Sequence, residues 1–276
     1  MYMRLRRRDF IEKTLNRLAE SMEQAARAED AGASGGFLQR LDPRVKMVGL
    51  LGLILAAAAS QKLVVTAAIF ALGLFLALAS GVLRPLARLW GGVLFFTGAV
   101  VLPAVILTPG HALFLIPWVR WPVTDHGLHS AAALIARAET TATLAALLVL
   151  TTRWGHLLKA LRVLRVPVLF VVIIGMTYRF IFVLLGIARA FFEARRVRHV
   201  GRLGGPQRRQ MAASSAAVLL SKSAQLSGEV YEAMQARGFR GEVYTLDEFR
   251  LKHLDWCMLA AFVVITVAAF GMGTLP

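Results

Sequence analysis

Apolar stretches at about 45–60, 63–82, 88–107, 130–151 and 254–274 alternate with segments rich in arginine and lysine. This alternation constrains the fold more than any other feature. About 20 apolar residues suffice to cross a bilayer as a helix, and only a helix or a closed barrel satisfies its own backbone in lipid. The pattern predicts an all-α, polytopic membrane protein with about five transmembrane helices, plus long helices in the basic segment between the fourth and fifth. A 57% hydrophobic composition and a mean hydropathy of +0.62 exceed what a soluble core of 276 residues needs.

The net charge of +16 suggests nucleic acid at first sight. In a membrane protein, basic residues instead gather in cytoplasmic loops. Arg40, Arg44 and Lys46 mark the start of the first span as cytoplasmic, Arg84 and Arg88 the second turn, and Arg153 the end of the fourth span. The Pro-, Gly- and Trp-rich stretch Thr108–His129 then falls outside, where Trp118 and Trp121 suit a membrane interface. Five spans with the N-terminus inside and the C-terminus outside satisfy this charge distribution. Ahead of them, Phe10, Ile11, Leu15, Leu18 and Met22 fall at helical spacing, predicting an amphipathic surface helix over about 10–27. In Leu41-Asp42-Pro43-Arg44-Val45-Lys46, an N-cap acid and a proline at the first helical position open the first span.

The apolar stretch Val166–Ile187 is harder. Its length suits a span, but clusters of arginine flank both of its ends, and Arg179 at its middle would cost roughly 2.5–3.5 kcal/mol at the bilayer centre. We read it as a long helix near the inner membrane face or against another membrane subunit, with a re-entrant or tilted passage as the alternative. Glycines 201, 204 and 205 with Pro206 end it, and a second helix runs from about Gln207 to Arg237. Leu219, Leu226, Val230 and Met234 share one face of that helix and predict packing along its predecessor. An Ala-Arg pair sits near the end of each helix: Ala194-Arg195-Arg196, then Ala236-Arg237-Gly238, with Gly238 suited to terminate the second. A lone Ala-Arg-Gly is most often an ordinary cap, since the helix dipole alone favours a cation there. Two of them in order, behind four spans, point to a two-point dock for a paired partner.

Other chemistries lack their parts. No Gly-x-x-x-x-Gly-Lys-Ser/Thr loop is present, so phosphate binding by that route is excluded. No nucleophile sits beside a histidine in a recognisable arrangement. Asp125, His126 and His129 form an incomplete ligand set, so no metal site is assigned. Arg137 and Glu139 sit either in the outer interfacial zone or in an internal polar contact. Cys257 has no partner for an internal disulfide. Nucleic-acid binding lacks an interleaved aromatic and basic surface.

The motifs at 41–46, Met176-Thr177-Tyr178-Arg179-Phe180, 194–196 and Glu232–Phe239 occur in an order and spacing that resemble the transmembrane T component of energy-coupling factor transporters, most closely the CbiQ branch of the cobalt and nickel type. The resemblance covers about residues 37–275. It implies a non-catalytic coupling subunit, not an enzyme, in a bacterial inner (cytoplasmic) membrane, with the N-terminus and coupling domain cytoplasmic. Two cassette ATPases (CbiO-like) would dock at Ala194, Arg195 or Arg196, and at Ala236, Arg237 and Gly238, with Arg195 favoured as the first anchor. A separate membrane subunit (CbiM-like, with or without a CbiN-like protein) would hold the substrate against the bilayer. No cofactor is expected on this chain, since ATP and Mg would bind the ATPases. The implied organisation is an amphipathic arm at 1–36, four spans at 37–152, a coupling domain at 153–250 and a last span at 251–276. A vitamin-type T component shares this architecture, and a self-sufficient secondary carrier is the alternative from a different class.

Overall fold

The computed structural model describes residues 36–107, 112–115, 122–198, 204–241 and 252–274, together with Asn16, Arg17, Glu20 and Glu23. The predicted amphipathic arm lies otherwise outside the described residues. Those four residues are helical and exposed, as its polar face would be. The chain forms two compact units. One combines residues 36–160 with 252–274, and the other runs from 161 to 241.

Five helices build the first unit: α1 (Pro43–Ala59), α2 (Leu63–Ala79), α3 (Leu83–Leu107), α4 (Asp125–Leu150) and α8 (His253–Thr274). At 17 residues each, α1 and α2 are about 25 Å long, at the short limit for a span. The stretches Leu83–Leu102, Gly127–Leu150 and His253–Gly273 are long and apolar enough to cross a membrane. The sequence reading missed strands Ala112–Leu115 (β1) and Pro122–Thr124 (β2), which pair antiparallel between α3 and α4.

Helix α4 packs against α1, α2 and α3, and α8 packs along α1. Glycines set that last contact. A Cβ at Gly49 would fall 2.5 Å from the Phe262 ring, and one at Gly52 would fall 3.2 Å from the Thr266 hydroxyl. At the far end, Gln61 N donates to Gly273 O (3.0 Å). Contacts that advance together from Asp42/Asp255 through Gly49/Phe262 to Gln61/Gly273 make α1 and α8 parallel. Lys46 Nζ reaches Thr151 O just beyond the end of α4, so α4 runs opposite to α1. A turn at Gly81 (φ +69°) reverses the chain between α2 and α3, and residues 37–39 bond to its Ala79 and Ser80. One end of the unit therefore gathers the starts of α1, α3 and α8 and the ends of α2 and α4. Arg40, Arg44, Arg84, Arg88, Arg153 and Lys252 belong to that end.

The second unit contains α6 (Val168–Arg198) and α7 (Gly205–Ala236). A ten-residue helix absent from the sequence reading, α5 (Trp154–Val163), runs across the division between the units at 160/161. It ends in a left-handed turn at Arg165 (φ 59°), closed by Val166 N donating to Leu161 O (3.4 Å). Its apolar residues Leu157, Leu158 and Leu161 recur at helical spacing, but the run is too short to stand out among basic neighbours.

Candidate functional site

Helix α6 is the most apolar candidate span. Its segment Val168–Arg195 is long enough to cross a membrane, yet it buries little of itself within the chain. Leu169, Phe170, Ile173 and Ile181 are exposed, and so is Arg179. Along its inner side, α6 and α7 enclose an apolar groove of about 460 Å3. Leu226, Val230 and Met234 of α7 line this groove against Met176 and Phe180 of α6. Leu219, assigned from sequence to the same face, is half-buried but lies beyond the lining residues. The opposite face of α7 is polar and laced by side-chain contacts, such as Lys222 Nζ to Gln225 Oε1 (3.0 Å) and Gln225 Nε2 to Glu229 Oε1 (2.8 Å).

The end of α7 is built by backbone geometry. Arg237 is the C-cap, and Gly238 follows in the left-handed conformation (φ +79°). Gly238 N donates to Gln235 O (2.9 Å) and Phe239 N to Met234 O (3.0 Å), the two bonds of a Schellman motif. Phe239 turns back into the groove beside Met234, a contact the sequence reading did not single out. Ala236, Arg237 and Gly238 remain exposed, so the arginine projects from a fixed, bare helix end.

Arg195 is held differently. Its guanidinium lies 4.6 Å from the centre of the Phe191 ring one turn earlier, and Phe191 in turn meets Phe192 edge-on at 5.9 Å. Such stacking orients the half-buried group and is worth about 0.5–1 kcal/mol. Ala194 is exposed beside it, and Arg189 pairs with Glu193 (2.8 Å) on the same stretch. The Arg196 side chain lies outside the described residues. Arg195 lies in the last turn of α6 and Arg237 caps the end of α7, a helix about 48 Å long at 1.5 Å per residue.

Three further groups bear on function. Asp42 caps α1 by accepting from Arg44 N (2.8 Å), while its own N–H donates to Asp255 Oδ1 (2.9 Å). Asp255, overlooked in the sequence, also accepts from Lys252 N (2.8 Å) and so caps α8. The signal was present: an acid three residues after the residue that precedes a helix is the reciprocal half of a capping box. Glu139 is buried within the first unit, where the Thr143 hydroxyl donates to its backbone carbonyl (2.6 Å). Neither of its carboxylate oxygens meets a hydrogen-bond partner among the described residues. No cluster of His, Cys, Asp and Glu able to hold a metal occurs among the described residues, while the side chains of Asp125 and His126 lie outside them.

The profile of the CbiQ family, cobalt transport protein, matches residues 34–245. The chain belongs to the CbiQ family. It is thus a membrane transport component. A Rhodobacter capsulatus protein named cobalt transport protein CbiQ is 34% identical over 157 residues, spanning 55% of this chain and 63% of that protein. An uncharacterized protein of Methanocaldococcus jannaschii, MJ1571, is 27% identical over 274 residues, covering 96% of this chain and 93% of its own length. The matched region includes the first four membrane helices and both Ala-Arg helix ends.

Proposed function

We propose that this CbiQ-family chain is the coupling subunit of an ATP-driven uptake system of the energy-coupling factor type. It binds two cassette ATPases at Arg195 and Arg237 and transmits their motion to a separate membrane subunit that carries cobalt or nickel. The observation that carries this reading is the pair of arginines near the ends of successive helices, Arg195 in the last turn of α6 stacked on Phe191 and Arg237 at the C-cap of α7 beside the Gly238 turn. A guanidinium at an exposed helix end offers planar donors and a permanent charge, suited to carboxylates and carbonyls of an ATPase groove. The chain itself is non-catalytic, and ATP with Mg belongs to the partners.

Topology supports the same reading. Thr151, at the end of α4, and Lys252, at the start of α8, are both tied to the start of α1 and so lie at the same end of the first unit. The intervening segment therefore crosses the membrane an even number of times. Of the described helices in that segment, only α6 has the length and hydropathy of a span. A single crossing by α6 would put Lys252 across the membrane from Thr151, which favours α6 lying along the membrane face or re-entering it. The basic end of the first unit then faces the cytoplasm, where the ATPases are.

Reconstitution tests this directly. The purified chain in liposomes should neither hydrolyse ATP nor take up cobalt or nickel, and both activities should arise when the ATPases and the substrate-binding subunit are added. Uptake by the chain alone under an ion gradient would contradict the proposal and make it a carrier.

A further inference from the structure

The chain passes between its two units twice, near 160/161 and 247/248. On the side of the first unit, both passages are anchored to the same few residues. Thr151, which ends α4 and leads through Arg153 into α5, receives Lys46 Nζ on its carbonyl at 3.0 Å. Lys252, which opens α8, donates its N–H to Asp255 Oδ2 at 2.8 Å, and Asp255 Oδ1 accepts from Asp42 N at 2.9 Å. Lys46 is 1% exposed and Asp255 3%. A buried ammonium beyond the C-terminal end of α4 meets the negative end of that helix, and a buried carboxylate at two helix starts meets two backbone donors. The Lys46–Thr151 and Asp42–Asp255 bonds are buried and charge-assisted, so neither exchanges its partner cheaply.

We propose that Asp42, Lys46 and Asp255 form a clamp through which force from the α6–α7 unit enters the membrane helices, with Lys46 and Asp255 as positioning residues for coupling. The inference rests on the coupling function proposed above. Outgoing and returning chain are held to one helix, α1. A displacement passed along the chain to the end of α4 or the start of α8 thus moves those two ends together with α1. The motif at 41–46 thereby gains a role beyond starting a helix.

The test uses the full complex in proteoliposomes, with ATP hydrolysis and cobalt or nickel uptake measured together for the wild type, Lys46→Met and Asp255→Asn. The variants should hold the ATPase and hydrolyse ATP within about twofold of wild type, while ions moved per ATP fall about tenfold or more. Lys46→Arg, which can still donate to Thr151 O, should restore part of that ratio. A lower melting temperature with an unchanged ion-to-ATP ratio would make the bonds purely structural and overturn the proposal. A wild type that binds no ATPase would instead sink the coupling function itself, before any variant is compared. Should the variants fail to insert, amide exchange on the wild-type complex decides. The Asp42 and Lys252 amides should stay protected with and without nucleotide, and loss of protection in either state would refute a standing clamp.

Discussion

Glycines 49 and 52 show how single residues set the first unit. Without side chains they let α8 approach α1 until the Phe262 ring occupies the space of a missing Cβ. Gly49→Ala should therefore lower stability by roughly 1–3 kcal/mol, as overpacking does, while Gly91→Ala, which meets nothing within 4 Å, should not. Thermal unfolding of the two variants in detergent checks the difference. Glu139 makes the opposite case. Its buried carboxyl has no hydrogen-bond partner among the described residues, so Glu139→Gln, of similar shape and no charge, should leave the unfolding midpoint unchanged or raise it. A fall of several degrees would mean that the carboxylate is paired. At this scale the sequence was legible where a residue acts on its own neighbours, as in Asp42 capping α1 or Gly238 ending α7. It was opaque where the partner lies far along the chain: nothing local links Asp255 to Asp42, 213 positions away.

Most helices follow from hydropathy, because a long apolar run has one low-energy form in lipid. The expected spans at 88–107, 130–151 and 254–274 became Leu83–Leu107, Asp125–Leu150 and His253–Thr274. The elements that escaped were short. The β1–β2 ribbon and α5 carry few residues each, so neither builds a periodic signal, and proline, tryptophan or arginine around them obscures what there is. The α7 face was readable because Leu226, Val230 and Met234 repeat at helical spacing. Two left-handed turns offer a paired test of element ends. Gly238→Ala places a Cβ where φ is +79° and should cost about 1 kcal/mol, and Arg165→Gly removes one from φ 59° and should recover a similar amount. Opposite shifts in the thermal midpoint would bear this out, and shifts of the same sign would not.

At the scale of the membrane unit, Arg40, Arg44, Arg84, Arg88, Arg153 and Lys252 gather at one end, with the end of α4 and the start of α8. Hydropathy alone leaves α6 ambiguous, since it has the composition of a span. The hydrogen bonds at Thr151 and Lys252 put the end of α4 and the start of α8 at the same end of the membrane unit, which favours the non-spanning reading proposed above. In a Cys257→Ser background, single cysteines at 84, 153, 205 and 252 should react with an impermeant maleimide from the same side of the membrane, and cysteines at 62 and 274 from the other. Labelling of 205 from the side of 62 would require α6 to span.

Docking of the ATPases is tested most directly by co-purification. The solubilised wild type and the Arg195→Glu/Arg237→Glu variant would be drawn from native membranes, with each retained subunit identified by mass spectrometry. Reversing charge at an interfacial guanidinium typically costs at least about 2 kcal/mol, or about 30-fold in affinity for each site. The wild type should therefore retain a cassette ATPase that the correctly inserted double variant loses. Equal retention by both, or a wild type that emerges alone, would contradict docking through these two arginines.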